Sequence, residues 1–101
     1  MKYKPSEWMN GFLTFLILHE IAKKKLCGDE LAEVIGKRKG SKLTPGTIYP
    51  ALKKLRDNNF IKLNQKGRKK IYSLTKKGEK ELKIMYKLFR NLFQGLKNKI
   101  K

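Results

Sequence analysis

A proline stands inside the segment that otherwise looks most like the start of a helix, at residues 43–55. Thr44 suits the N-cap position, and Pro45 suits the first helical position, where a missing N–H costs nothing. Pro50 then falls in the second turn and removes the N–H that the carbonyl of Gly46 would accept, which costs about 3 kcal/mol. A helix with such a cost usually needs a special surface, so the sequence predicts a functional face here.

The two faces of this predicted helix differ in chemistry. At about 100° per residue, one face carries the apolar residues Ile48, Ala51, Leu52 and Leu55. The opposite face carries Gly46, Tyr49, Pro50, Lys53 and Asp57. Small groups allow a helix to approach a groove closely, and Tyr49 and Lys53 could then reach base edges or phosphates. We therefore predict DNA contact, against the alternative of a surface helix with an accidental kink.

The charge of the chain is large and unevenly placed. Lys and Arg number 26 against 8 Asp and Glu, which gives a net charge of +18. Residues 43–74 and 75–101 each carry a net +7, and residues 1–42 carry +4. Such an excess predicts a polyanionic partner, with nucleic acid first and an anionic membrane second. The alternative, a solubilising surface, would need interspersed acids and no large single-sign field.

The residue inventory argues against an enzyme and against a cofactor. The single Cys27 excludes an internal disulfide and fits a reducing compartment. His19 is the only histidine, so neither a metal cluster nor a nucleophile–base pair can be assembled. We predict that Cys27 is a small buried residue and that His19 lies in a core or an interface.

The apolar run at residues 11–18 follows Lys2 and Lys4 and so imitates a signal peptide. Glu7 interrupts the positive region, and no small-residue cleavage site follows the run. The run is also too short to span a bilayer. The sequence therefore predicts a cytoplasmic protein without membrane contact.

The order of the predicted elements indicates a fold class. A first helix runs to about Lys24 and is apolar all round, which predicts burial on all sides; a second helix runs to about Ile35. A basic loop at 36–42 includes Lys42 and is either a solvated connection or a phosphate contact. After the helix of residues 44–58, residues 60–65 and 70–74 alternate as strands around a basic turn at 66–69. Helices followed by a basic hairpin predict a mainly α, winged helix-turn-helix fold at residues 1–74.

Residues 75–101 are predicted to form one long helix with an exposed apolar stripe. Thr75 is its N-cap, and the helix runs to about Lys99, a rod of roughly 37 Å. Residues 82, 85, 89, 92 and 96 are apolar at a 3–4 spacing. A stripe too long for a small domain to cover favours pairing with a second subunit over the alternative of lying on a membrane.

Several segments together resemble one known family. They are the Pro-Gly-Thr-Ile-Tyr-Pro core at 45–50 within Leu43 to Leu55, Phe60-Ile61, the basic wing, and Tyr72-Ser73-Leu74-Thr75-x-x-Gly78. Gly28-Asp29-Glu30-Leu31 is similar to the opening of the second helix in that family. Over about residues 6–82 the chain resembles the PadR family of winged-helix transcription regulators. A single helix after the wing is typical of its short subgroup.

The chain departs from the family pattern at a few positions. Asn59 stands where the family usually has glycine, and asparagine can adopt the same backbone. Asp29 replaces a common aromatic residue, and the wing is short. The final helix matches by pattern and not by motif.

The resemblance implies a homodimeric repressor that binds an inverted repeat, with half-sites about 34 Å apart. The residues it implies for the major groove are Thr44, Gly46, Thr47, Tyr49, Pro50 and Lys53. Those for the minor groove or its phosphates are Lys66, Gly67, Arg68 and Lys69, with Lys42 nearby. The apolar pattern of the first and last helices gives the residues predicted for dimerisation, which are Trp8, Phe12, Leu82, Met85, Phe89, Leu92, Phe93 and Leu96.

Two alternatives remain, one from the resemblance and one from the net charge. Some PadR proteins bind aromatic or hydrophobic effectors near the dimer interface. Here such a pocket would be lined by Trp8, Phe12, Phe15, Phe89 and Phe93, unless these side chains simply pack the interface. The second alternative is a sequence-general DNA-coating protein, which the charge of +18 favours.

Overall fold

The computed structural model describes residues 5–96 and 98–99, apart from the side chains of residues 5–11 and 39. The described elements are α1 (Pro5–Lys23), β1 (Leu26–Cys27), α2 (Gly28–Lys39), α3 (Pro45–Asp57), β2 (Ile61–Lys66), β3 (Lys69–Leu74) and α4 (Lys76–Phe93). The fold is thus mainly α with a small antiparallel sheet, and the prediction of a winged helix-turn-helix is confirmed.

A single apolar core joins the helices to the sheet. Its most deeply buried side chains come from α1, α2 and α3, and they are Ile17, Leu18, Leu31, Ile35, Ile48 and Leu52. Leu82 of α4 joins the same core at 4% exposure. The start of α4 is therefore packed on the winged domain and is not a separate rod.

The sheet contains one strand more than the hairpin that the sequence predicted. Its order is β1-β3-β2, and all pairs are antiparallel. In the hairpin, Ile61 pairs with Leu74 and Lys66 with Lys69, while β1 adds Cys27 opposite Ile71 on the other side of β3. Two residues are too few to show the alternation that predicts a strand from sequence.

Helix α2 is longer than predicted. It continues to Lys39, so most of the predicted basic loop at 36–42 is helical. Gly40 ends the helix in the left-handed region with φ of 95°, and its N–H bonds to the carbonyl of Gly36. Gly36 also allows the chain to fold back, because a Cβ there would stand 2.3 Å from the backbone oxygen of Ser41.

Helix α4 begins as predicted but ends earlier. The Thr75 hydroxyl accepts a bond from the Gly78 N–H at 3.0 Å and donates to the Asn59 carbonyl at 2.5 Å. Asn59 adopts the left-handed backbone with φ of 62°, which the family comparison with glycine anticipated. The prediction of a helix to Lys99 is wrong, because α4 ends at Phe93 and Gly95 takes the left-handed backbone with φ of 88°.

A buried carboxylate connects α1 to the end of α2. Glu20 is 4% exposed. It accepts a hydrogen bond from Arg38 at 2.6 Å and forms an ion pair with Lys23 at 3.4 Å. Burial raises the pKa of Glu20, but the hydrogen bonds from Arg38 and Lys23 outweigh it and leave the pKa below its ordinary value. Glu20 is therefore a charged anchor that holds the α1–α2 pair.

Candidate nucleic-acid interface

The two faces of α3 are arranged as the sequence predicted. Ile48, Leu52 and Leu55 are buried in the core, and Ala51 is half-buried. The six residues predicted for the major groove are all exposed: Thr44, Gly46, Thr47, Tyr49, Pro50 and Lys53. The structure therefore leaves all the predicted α3 residues on the exposed part of the helix, away from the core.

The first turn of α3 presents two hydroxyl groups. Thr44 occupies the N-cap position with an extended backbone, and its carbonyl accepts bonds from Thr47 N–H at 3.0 Å and Ile48 N–H at 3.1 Å. Its hydroxyl makes no capping bond to the backbone and instead pairs with the Thr47 hydroxyl at 3.0 Å. The predicted cap is therefore right in position, while its side chain is directed to a neighbour on the exposed face.

In the middle of the exposed face of α3, Gly46 and Pro50 project only a short distance from the helix. Helix α3 runs through Pro50 without a break, although Pro50 supplies no N–H to the turn before it. Gly46 faces open space, since no atom lies within 4 Å of the point where its Cβ would stand. A flat surface of this kind lets the helix axis come close to a partner.

Tyr49 is anchored on the start of α2. A Cβ on Gly28 would stand 2.8 Å from both Cε1 and the hydroxyl of the Tyr49 ring, so only glycine leaves room for the ring there. The ring is still 47% exposed and can contact a partner with its outer side. No sequence pattern connects these two residues, which lie 21 positions apart.

The hairpin forms a basic wing beside the same anchor. Its turn is at Gly67 and Arg68, and Gly67 takes the left-handed φ of 61° that this turn requires. Lys66, Arg68 and Lys69 are exposed at or beside the tip. Because β1 pairs Cys27 with the wing and Gly28 supports Tyr49, two adjacent residues connect the wing to α3.

Two of the predicted contact residues are held by carboxylates. Lys53 pairs with Asp57 at 2.8 Å, and Lys42 pairs with Asp29 at 2.8 Å and with Glu33 at 3.8 Å. The hydrogen bond with Asp29 raises the pKa of Lys42 above its ordinary value. Lys42 is therefore paired with two exposed carboxylates of α2, which the sequence left open.

Some of the predicted dimerisation residues pack within the chain, and others remain exposed. Phe12, Phe89 and Phe93 pack on one another between α1 and α4. Phe89 also packs on Phe15, which was predicted only for the effector pocket, with the two ring centroids 4.5 Å apart. His19 hydrogen-bonds the Tyr86 hydroxyl in the same layer. Leu82 is buried and Met85 half-buried, whereas the side chain of Trp8 lies outside the described residues.

A second apolar row of α4 has no partner within the described chain. Ile84, Leu88 and Leu92 follow one another at intervals of four residues and are 60%, 51% and 57% exposed. Leu96, after the end of the helix, is exposed as well. We call Ile84, Leu88 and Leu92 the open apolar row; Ile84 and Leu88 were absent from the predicted interface.

The described helices do not include a candidate for crossing a membrane, because none is both long and apolar enough. A family model described as the transcriptional regulator PadR-like family matches residues 17–84, which include α2, α3, the wing and the first half of α4. The chain belongs to the PadR-like family of transcriptional regulators. Its family members are regulators and not enzymes, and the chain is a transcriptional regulator of that family.

Solved PadR-like structures share the whole fold. A regulator from Bacillus cereus is 25% identical with a TM-score of 0.82, over 94% of this chain and 97% of that one. A regulator from Clostridium difficile is 28% identical with a TM-score of 0.75, over 90% of this chain and all of that one, 100%. Both alignments extend well beyond the segment matched by the family model.

Among curated proteins, the chain is similar to the transcriptional activator GvpE of Haloferax mediterranei. The two are 35% identical over 49 residues, which make up 48% of this chain. The matched segment is only 26% of GvpE, so the similarity concerns a part of that protein.

Proposed function

We propose that this PadR-like regulator is a homodimer that binds a specific DNA site through α3 and the wing. The observation that carries the proposal is the exposed face of α3. Thr47, Tyr49 and Lys53 project from it beside a glycine and a proline, whose side chains add little height. The major groove admits a helix and displays a distinct pattern of donors and acceptors for each base pair. Lys53 suits acceptors on guanine, and the threonine hydroxyls suit either donors or acceptors.

The wing supplies the second contact of each chain. Lys66, Arg68 and Lys69 carry no sequence information when they bind phosphates, but they fix the orientation of the domain on the duplex. Lys42, held by Asp29, adds a phosphate contact at the start of α3. We thus assign base readout to α3 and positioning to the wing and Lys42, with Gly67 allowing the tight turn.

Residues 75–101 provide the dimer interface in this proposal. The open apolar row, Leu96 and the adjoining edge of the aromatic layer are covered by α4 and α1 of a second copy. Two-fold symmetry then places two α3 helices in successive major grooves, about 34 Å apart. The aromatic side chains between α1 and α4 pack on one another, which supports a packing role over an effector pocket.

Selection of bound fragments from a random duplex pool at about physiological salt tests this function. Enrichment of an inverted repeat with its half-sites about one helical turn apart is the expected result. Retention of DNA without an enriched motif would contradict site-specific regulation. Selection of a single half-site would contradict the dimer.

We propose repression as the sense of regulation, because a dimer bound across a promoter excludes polymerase without any further contact. The similar protein GvpE is named a transcriptional activator, so activation is the alternative that the comparison supports. A reporter gene placed behind the selected site distinguishes the two. Transcription that falls when the protein is expressed supports repression, and transcription that rises contradicts it.

The net charge of +18 favours one other candidate, a protein that coats DNA without regard to sequence. Its affinity would fall steeply with salt and would vary little between sequences. A preference of at least about 1,000-fold for the selected site at physiological salt excludes this candidate.

A further inference from the structure

Five basic side chains form a line along α4, away from the candidate interface. Their spacing of four, three, four and three residues places them within an arc of about 80° on the helix. All five are exposed, and from first to last they extend over about 21 Å. We call this line the basic stripe: Lys76, Lys80, Lys83, Lys87 and Arg90.

The charges of the basic stripe have no ion-pair partner in the part of the chain that the structure describes. Among the described residues, the ion pairs use Lys23, Arg38, Lys42 and Lys53 as their cations, and none belongs to the stripe. Helix α4 contains two acids, Glu79 and Glu81. Neither lies within 4.0 Å of a described cation, so the stripe is available to an anion outside the chain.

The stripe begins next to the end of the recognition helix. Lys77, the neighbour of the first stripe residue, donates from Nζ to the carbonyl of Asn58 at 2.9 Å. Asn58 is the C-cap of α3. The neighbour of the first stripe residue therefore contacts the C-terminal end of α3, the helix whose exposed face forms the candidate interface.

We propose that the basic stripe binds the phosphates of duplex DNA beside the site that α3 occupies; this inference rests on the proposed function. A duplex carries one phosphate per 3.4 Å along each strand, so a length of about 21 Å offers about six. That number is sufficient for five cations. Lysine ammonium groups bind as point charges, so the stripe adds affinity without adding base readout.

The shape of α4 favours DNA over a lipid surface. A helix that lies on a membrane inserts a broad apolar face and keeps its basic residues on the opposite face. On α4, the rings of Tyr86 and Phe89 pack against Phe12 and Phe15 of α1. The most exposed apolar side chains of α4 form the open apolar row, which is centred about 120° away from the stripe.

The test compares two duplexes that carry the same selected site, one of about 20 and one of about 50 base pairs. The stripe variant is Lys83→Gln with Lys87→Gln. The matched control is Lys24→Gln with Lys25→Gln, which removes the same charge from exposed positions at the end of α1. Binding of the wild type and both variants is measured by titration over a range of salt concentrations.

The proposal predicts that the wild type binds the longer duplex more tightly than the shorter one. The stripe variant should lose about tenfold on the longer duplex, and its slope of log K against log salt should be shallower by about 2 per chain. On the shorter duplex it should match the wild type, and the control should match the wild type on both.

Equal losses in the stripe variant and the control would show a general effect of net charge and overturn the proposal. An unchanged affinity of the stripe variant for the longer duplex would overturn it as well. Vesicles of phosphatidylserine and phosphatidylcholine supply a third arm. Vesicle binding that only the stripe variant loses, with DNA binding intact, would assign the stripe to lipid instead.

Failure of the proposed function gives a different result. If selection enriches no site, the same three proteins are titrated with random-sequence duplex of about 50 base pairs. A shallower salt slope of the stripe variant alone would then still support phosphate binding by α4. Identical slopes in all three proteins would overturn it.

Discussion

Four cations before residue 58 form ion pairs with carboxylates, whereas the five cations of the basic stripe on α4 form none among the described residues. All ion pairs among the described residues lie before residue 58, and they place Arg38, Lys42 and Lys53 beside carboxylates. The cations of the basic stripe have no such partners. A held cation can match one geometry and reject others, while a free one serves any nearby phosphate. Of the paired cations, Lys53 is the one assigned to base readout, whereas the unpaired basic stripe is suited to adding affinity.

The largest expected effect comes from the apolar side of α4. Leu92→Asp places a charge in the open apolar row, where the wild-type side chain is exposed in a single chain, so the fold should survive. We expect a monomer on size-exclusion chromatography with light scattering, and an operator affinity about 100-fold lower, because only one half-site is contacted.

Asn91→Asp is the matched control for this variant. It adds the same charge at the adjacent exposed position, outside the open apolar row, and should stay dimeric. If Leu92→Asp also remains dimeric, the interface lies elsewhere and α4 has no partner on that row.

The next test, Glu20→Gln, concerns the ion pairs before residue 58, because Glu20 pairs with Arg38 and Lys23. Loss of the charge-assisted bonds to Arg38 and Lys23 should lower the free energy of unfolding by about 2 kcal/mol at pH 7. Glu33→Gln is the control, and its exposed ion pair should contribute less than about 0.5 kcal/mol.

The Glu20 effect should also depend on pH. A carboxyl whose pKa falls on folding stabilises the folded state above its ordinary pKa and loses that contribution as the pH falls through the lowered value. The difference in urea midpoint between wild type and Glu20→Gln should thus be complete at pH 7 and shrink below pH 4.5. A difference that does not change with pH would show that packing, and not charge, is responsible.

A third test separates selectivity from affinity at Lys53. Lys53→Ala should weaken the operator about tenfold and random DNA far less, because Lys53 is expected to read bases. Asp57→Asn frees the same lysine and should raise the affinity for random DNA. Lys54→Ala, one position along α3, is the control, and equal effects of both lysine variants on both DNAs would contradict base readout.

Gly28→Ala is expected to act through Tyr49. The added Cβ overlaps the end of a side chain and not the backbone, so the fold should be retained while the ring is displaced. We expect about a fivefold loss of operator affinity. Combined with Tyr49→Ala it should cause no further loss, and additive losses in this double-mutant cycle would show that the two residues act independently.

The smallest effect is expected for Gly46→Ala. The site is open, so alanine should raise the free energy of unfolding by about 0.5 to 1 kcal/mol through helix propensity. The added methyl group should nevertheless lower the affinity for the operator by about twofold to threefold, because it keeps the helix farther from the groove. An unchanged operator affinity would place Gly46 outside the contact.

Local patterns were sufficient for much of the fold. The burial of Ile48, Leu52 and Leu55 follows from helical periodicity, and the hairpin follows from alternation around Gly67. Asn59 supplies the left-handed residue after α3, as predicted from its small polar side chain. These features depend on residues within one or two turns of each other, so the sequence displays their causes directly.

Features that depend on distant residues were not predictable in the same way. Strand β1 exists because β3 offers it a free edge, and Tyr49 rests on Gly28 because α2 and α3 cross there. The same holds for the pairing of Lys42 with Asp29 and for the division of the α4 apolar surface into a covered and an open part.

The sequence by itself determined the fold class, the family, the exposed face of α3 and the basic wing. Each of these is encoded in short-range periodicity, in turn residues and in a specific motif. Only the tertiary structure decided which cations are held, which apolar side chains of α4 remain open, and what positions Tyr49. Those outcomes are set by packing and by ion pairs between separate elements, and their energies exist only once the elements have come together.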